Sequence, residues 1–247
     1  MTTIYMITGN KGGVGKSLIA ALTADAVLRN DKDSLVAADC ESADGQATMH
    51  NIFKNKAETR YWNLSCSKGY EHMLNAVSTM RDKQVVIDTG ATLLGALNEH
   101  AGVIDAFGGS GYGVRIVFVG AHNADSSAAF RRYICAYKER RNVRTVIVLN
   151  AIIPTISDPE DFDLVGHEDI SAIIEKRRIP VLYHPYMDPE YARWLMDGGR
   201  LPSVVLADRN LPFGSRLMYK EWFSQKSDPV IRAILAGGGD HGSSAVS

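Results

Sequence analysis

Short runs of apolar residues alternate along this chain with longer stretches whose apolar positions recur at helical spacing. "TIYMIT" (3–8), "SLVAAD" (34–39), "KQVVID" (83–88), "VRIVFVG" (114–120) and "VRTVIVLN" (143–150) are apolar on successive positions, as expected of strands covered on both faces. "RYWNLS" (60–65) and "RIPVLYH" (178–184) complete the set of strand candidates. Between them, a helix is expected from Ser17 to about Arg29, closed by the polar "NDKD". A second is expected over 126–141, capped by Asp125 or Ser126, and a third ends the stretch 159–178. Prolines and glycines break up 188–222, which reads as helical hairpins and loops. The alternation predicts βαβ units: an α/β fold with a doubly wound, mostly parallel sheet and flanking helices. No repeat or linker divides the chain, so residues 1–236 are expected to form one domain and 237–247 a flexible tail.

Composition narrows the function classes. With 247 residues, 45% hydrophobic and 22% charged, the chain can bury a full core. A net charge of −1 creates no global field toward nucleic acid or anionic lipid, so any such contact must be local. Cys40, Cys66 and Cys135 form no C-x-x-C pair, which argues against a zinc ribbon or a bridging iron–sulfur cluster. No apolar run approaches a membrane span and the start lacks the pattern of a signal peptide, so a cytoplasmic location is expected.

The chemistry concentrates in "GNKGGVGKS" (9–17), between the first strand and the first helix. Gly12, Gly13 and Gly15 let the backbone curl until consecutive N–H groups face an anion, and the helix that follows adds its own unpaired N–H groups. Lys16 is placed to reach the β- and γ-phosphates of a nucleotide and Ser17 to ligate Mg²⁺, with Val14 and Leu18 completing the lining. The pattern departs from the ordinary phosphate loop in two ways. Asn10 stands where the first glycine is expected, and Lys11 adds a second lysine.

"KGGVGKS" resembles the deviant Walker A motif of the ParA/MinD superfamily of P-loop ATPases, in which neither departure is anomalous. The resemblance implies an Mg²⁺-dependent ATPase that dimerises on ATP, with Lys11 crossing to the nucleotide of the other subunit, cationic charge placed where charge develops. "LVAADCESADGQAT" is similar to the family's switch I, and this implies Asp39 as its first acid and Glu41 as the acid that positions the attacking water. Glu41-Ser42 replaces the usual Asp-Pro, so slow, partner-stimulated hydrolysis, or use of Asp44, is expected. The alternative for these carboxylates is the capping of a following helix. "QVVIDTGATL" resembles the Walker B and switch II segment, which implies Mg²⁺ held through water at Asp88 and a γ-phosphate contact at the Gly90 N–H. The same resemblance places Asn150 on the adenine edge and Pro185 beside the base. No N-K-x-D or T-K-x-D guanine signature follows Asn150, which favours ATP over GTP.

Within the superfamily, the cysteine pair of the iron–sulfur branch, the membrane helix of the MinD branch and the tyrosine cluster of the kinase branch are all missing from the sequence. The C-terminal half is similar to the short ATPases of plasmid stability and conjugation operons, the StbB and TraL type. That likeness implies plasmid DNA positioning, stability or conjugative transfer with a small DNA-binding partner. The alternatives are a nucleotide-dependent binding switch with negligible intrinsic hydrolysis, or a positioning ATPase unrelated to plasmids. "RRYICAYKERRNVR" (131–144) carries six Lys/Arg against one acid, and reads either as a non-specific DNA contact or as a solvated helix face.

Overall fold

A computed structural model describes residues 1–9, 12–40, 47–90, 92–196 and 200–237. In chain order, the strands are β1 (Thr3–Thr8), β2 (Leu35–Asp39), β3 (Glu58–Tyr61), β4 (Gln84–Asp88), β5 (Gly113–Gly120), β6 (Val143–Asn150) and β7 (Val181–His184). They form one sheet in the order β3-β2-β4-β1-β5-β6-β7, and every pairing is parallel. The expected parallel α/β sheet is therefore present, and among the described residues it has no antiparallel strand.

The helices cover both faces. The first six are α1 (Lys16–Asn30), α2 (Thr48–Phe53), α3 (Ser67–Ser78), α4 (Leu94–Glu99), α5 (Ala101–Gly109) and α6 (Ala124–Tyr137). They are followed by α7 (Asp163–Gly166), α8 (Glu168–Arg177), α9 (Pro189–Met196), α10 (Pro202–Ala207), α11 (Phe213–Trp222) and α12 (Asp228–Ala236). A π-helical turn, Phe223–Ser227, joins α11 to α12. Strand β1 shows how the layers arise. Ile4 and Met6 pack into the core beneath α3 to α6 and α8, while Tyr5 and Ile7 pack into the core formed with α1 and α9 to α12. Both sets are apolar, which is why the strand reads as a continuous run.

Four sequence expectations shift. The third strand spans Glu58–Tyr61 rather than 60–65; its side chains are mostly exposed at the sheet edge, so no burial pattern marks it. The 126–141 helix begins earlier, at Ala124, and is capped by Asn123, whose side chain accepts the Ser126 N–H at 2.9 Å. It also stops at Tyr137, so Lys138, Arg140 and Arg141 lie in the turn before β6. The last strand starts at Val181, because Arg178, in the left-handed conformation (φ 51°), ends α8 there. Helices α3, α4, α5 and α12 had no counterpart in the periodicity reading. The tail from 238 onward lies outside the described residues.

Electrostatic ties fasten α1 to the C-terminal helices. Arg29 contacts Asp25 at 3.0 Å and Asp228, the first residue of α12, at 2.5 Å. Buried Asp25 also accepts the Ser203 hydroxyl of α10 at 2.8 Å. The helix that begins at the glycine-rich loop is thus held at its far end as well.

Candidate functional site

The loop leaves the C-terminal end of β1, and the chain ends of β2, β4, β6 and β7 lie on the same rim. Ligands of open parallel sheets bind outside these ends. Two glycines are demanded by geometry. A Cβ on Gly9 would lie 2.5 Å from the Val119 carbonyl oxygen of β5, so only glycine lets the chain turn that close to the sheet. Gly15 has φ 95°, and a Cβ there would lie 2.2 Å from Asn150 Nδ2. Gly12 and Gly13 are exposed, with open space beside them, Val14 is buried, and Lys16 and Ser17 open α1. The Lys16 side chain is 5% exposed and runs back along Gly9. Leu18 is half-buried one residue further on. Among the expected loop residues, Asn10 and Lys11 lie outside the described residues, as do Glu41 and Asp44.

Asp39 and Asp88 end neighbouring strands in direct register, and both are buried. Asp39 accepts the backbone N–H groups of Met49 at 3.0 Å and His50 at 2.8 Å, so it caps α2. Burial raises its carboxyl above the ordinary range, the two N–H groups oppose that rise, and the adjacent charge of Asp88 adds to it. A cation beside these two buried neighbours would relieve the repulsion that Asp88 exerts on Asp39. Oxygen donors from Asp39, Asp88 and the Ser17 hydroxyl suit Mg²⁺, which keeps several waters and shares substrate phosphates instead of filling an all-protein cage. No cluster of three or more His, Cys, Asp or Glu suited to a metal occurs among the described residues. Gly90 has φ 71°, and its N–H approaches Asp88 Oδ1 at 3.3 Å, placing the start of the expected switch II on this rim.

Asn150 is 4% exposed, and both ends of its amide are engaged within the protein. Nδ2 donates to the Val14 carbonyl at 2.8 Å, and Oδ1 lies 2.9 Å from His184 Nδ1. Pro185 follows β7, half-buried, one residue beyond His184. Reasoning from sequence missed His184 and Ser227, whose Oγ lies 2.9 Å from His184 Nε2. Nothing in local spacing signals a contact between residues so far apart in the chain.

Complete burial of His184 pushes its pKa down to about 3. The native ring stays neutral while the unfolded chain binds a proton below about 6.5. The folded pKa is depressed below the unfolded one, so this contribution is fully present above pH 6.5 and is lost as pH falls toward 3. At pH 5, about 2 kcal/mol of stability is expected to be gone, from ~1.4 kcal/mol per pH unit over roughly 1.5 units. Denaturant melts at pH 7 and pH 5 measure the loss, and His184→Gln should flatten it.

The basic stretch is reorganised by the fold. Arg131 pairs with Asp169 at 3.0 Å on α6 and α8, away from the other cations. Lys138, Arg140, Arg141 and Arg144 line a cleft together with Lys176 from the last turn of α8 and Arg178 just after it. Arg177 ties the two turns, donating to the Tyr137 carbonyl at 2.8 Å and the Arg140 carbonyl at 2.9 Å. This cleft lies at the N-terminal ends of β6 and β7, on the opposite edge of the sheet from the glycine-rich loop. Among the described residues, no helix is long and apolar enough to cross a membrane.

No family model matches the chain. Protein MobD of Acidithiobacillus ferrooxidans is 23% identical over 251 residues, covering 94% of this chain and 98% of that protein. Among solved structures, a putative plasmid partition protein of Borrelia burgdorferi bound to AMPPNP superimposes with a TM-score of 0.57 at 13% identity, over 96% of this chain and 100% of that one. The MinD cell division protein of Aquifex aeolicus gives 0.55 at 11% identity, over 96% and 97%. A ParA family ATPase of Chlorobium tepidum gives 0.52 at 15% identity, over 94% and 97%. The chain has the α/β P-loop fold of the ParA/MinD ATPases.

Proposed function

We propose that this protein is an ATP-binding and hydrolysing switch that dimerises on ATP and acts in plasmid DNA positioning, stability or conjugative transfer. The observation that carries the reading is the convergence of the glycine loop, Lys16, Ser17 and the paired acids Asp39 and Asp88 on one rim of a parallel sheet. The ParA/MinD fold and the AMPPNP-bound plasmid partition structure support the nucleotide and the plasmid setting.

In this reading the loop N–H groups and Lys16 hold the β- and γ-phosphates, and Ser17, Asp39 and Asp88 hold Mg²⁺, whose charge offsets that of the phosphates. Lys11 reaches the partner subunit's nucleotide, Glu41 aims the attacking water, Gly90 senses the γ-phosphate and Pro185 lies beside the base, while Asn150, both ends of its amide engaged, supports the loop instead of reading the adenine edge. The γ-phosphate orders both switch segments and so couples dimerisation to nucleotide state. Lys11→Ala should leave monomeric ATP binding within a few-fold of wild type while removing the ATP-dependent dimer. Sedimentation velocity in ATP and in ADP checks this, and an unchanged dimer in the variant would refute the crossing role.

A small DNA-binding partner protein carries the specific DNA contact, with modest direct binding through the basic cleft. Five exposed cations there, Lys138, Arg141, Arg144, Lys176 and Arg178, present charge from the α6–β6 turn, the start of β6 and the end of α8. Each phosphate neutralised contributes about −0.9 to the slope of log affinity against log salt. Arg141→Glu with Lys176→Glu should therefore make the slope shallower by roughly 2 units. A slope that does not move would mean that the cleft is only solvated surface.

A further inference from the structure

Three buried side chains outside the expected phosphate contacts form one continuous line to the loop. Asn150 ends β6, His184 ends β7 in register with it, and Ser227 closes the π-helical turn between α11 and α12. Their separations are 2.8 Å from Asn150 Nδ2 to the Val14 carbonyl oxygen, 2.9 Å from Asn150 Oδ1 to His184 Nδ1, and 2.9 Å from His184 Nε2 to Ser227 Oγ. His184 and Ser227 are fully buried and Asn150 nearly so.

The chemistry of these groups leaves one arrangement. The Val14 carbonyl accepts only, so the nitrogen of the Asn150 amide must face it and the oxygen must face His184. That oxygen also accepts only, so His184 carries its proton on Nδ1. A neutral imidazole then has its lone pair on Nε2, and the Ser227 hydroxyl must donate to it. Reversing any member leaves a buried group facing a like partner, away from water.

The line ends on a single peptide unit, Val14–Gly15. A trans peptide points its N–H opposite to its carbonyl. Holding the Val14 oxygen inward against Asn150 therefore directs the Gly15 N–H outward, into the curl where a phosphate would sit. The other end of the line is the C-terminal hairpin. Its next residue, Asp228, holds Arg29 at the far end of α1, so the same hairpin braces both ends of the loop–helix unit. π-Helical turns are rare, and here the turn brings Ser227 to the His184 ring.

We propose that Ser227, His184 and Asn150 are positioning residues through which the C-terminal hairpin sets the orientation of the Val14–Gly15 peptide and hence the affinity of the loop for nucleotide phosphates. The proposal rests on the nucleotide-binding reading above, and its test separates the two. Calorimetric titration of the wild-type protein with ADP and a non-hydrolysable ATP analogue comes first; no binding there would overturn the nucleotide reading. With binding established, His184→Phe keeps the ring against Trp222, which it meets edge-on at 5.7 Å, but removes both nitrogens. It should weaken nucleotide binding by about tenfold or more, the order expected when a buried amide loses its partner. His184→Gln, which can donate to Asn150 and accept from Ser227, should restore affinity to within about threefold, an outcome that loss of packing alone does not predict. Nitrogen-15 NMR of the wild-type imidazole provides a readout that needs no variant. The Nδ1–H tautomer is expected in wild type and in Ser227→Ala, because the Asn150 oxygen fixes it, and its loss is expected in Asn150→Ala. An Nε2–H tautomer in wild type, or a folded His184→Phe variant with wild-type affinity, would overturn the positioning role.

Discussion

Lys16→Ala is expected to abolish measurable ATP binding while leaving the fold in place. Lys16 is the first residue of α1, is buried, and its stem runs along Gly9 at the start of the loop. Removing a positioned, desolvated charge that meets an anion costs about 2–5 kcal/mol, which weakens affinity by roughly 30-fold to several thousand-fold. The loop backbone and helix N-terminus remain, but their partial charges do not replace a full one. Titration with a fluorescent ATP analogue measures the loss. Thermal melts provide the control: ligand that binds only the folded state raises Tm in proportion to RT ln(1 + [L]/Kd), so ATP should stabilise wild type and not the variant. An affinity within fivefold of wild type would mean that the loop does not hold phosphate through this lysine.

Gly15→Ala should reduce stability as well as binding, unlike the lysine variant. At φ 95° an alanine is strained by about 1–3 kcal/mol in any surroundings. Its Cβ would also lie 2.2 Å from Asn150 Nδ2 and 3.2 Å from Asn150 Cγ, well inside contact distance. Asn150 cannot retreat without releasing the Val14 carbonyl or His184, since its amide joins both. The combined strain and lost hydrogen bonding should reach about 3–4 kcal/mol, lowering Tm by roughly 10 °C for a domain of this size. Gly12→Ala is the internal comparison, because nothing lies within 4 Å of a Cβ there. A melt in which the two variants behave alike would show that the Asn150 contact does not constrain the loop. Together the two substitutions separate what the loop does for a ligand from what it demands of the fold.

Much of this site was legible before any coordinates. Glycines around a lysine and serine, set between an apolar run and a helical pattern, determine a strand–loop–helix with an anion-binding curl, because the responsible forces act within about ten residues. The acids Asp39 and Asp88 were legible for the same reason, each standing at the end of an apolar run. Their partnership was not. That they are direct neighbours depends on β2 and β4 pairing, and that Asp39 also caps α2 depends on the path of the chain after it. The capping alternative is realised by Asp39, the same carboxylate that was expected at the acidic site. The basic stretch shows the limit from the other side. Reading 126–141 as one helix carried it as far as Arg141, whereas the helix ends at Tyr137 and Arg131 pairs with Asp169. The cations that join Arg141 come from Lys176 and Arg178, more than thirty residues along.

The sequence by itself determined the parallel α/β sheet and the place of the glycine-rich loop between β1 and α1. These follow from burial period and backbone freedom, which are local properties of the chain. Only the tertiary structure decided that Asn150 braces the loop, that a buried neutral His184 orients Asn150, and that Ser227 in a π-helical turn orients His184. Each of those contacts joins residues 34 to 136 positions apart. Hydrogen bonds act over about 3 Å and carry no signature in sequence spacing, so they exist only once strand order and helix packing have placed their partners.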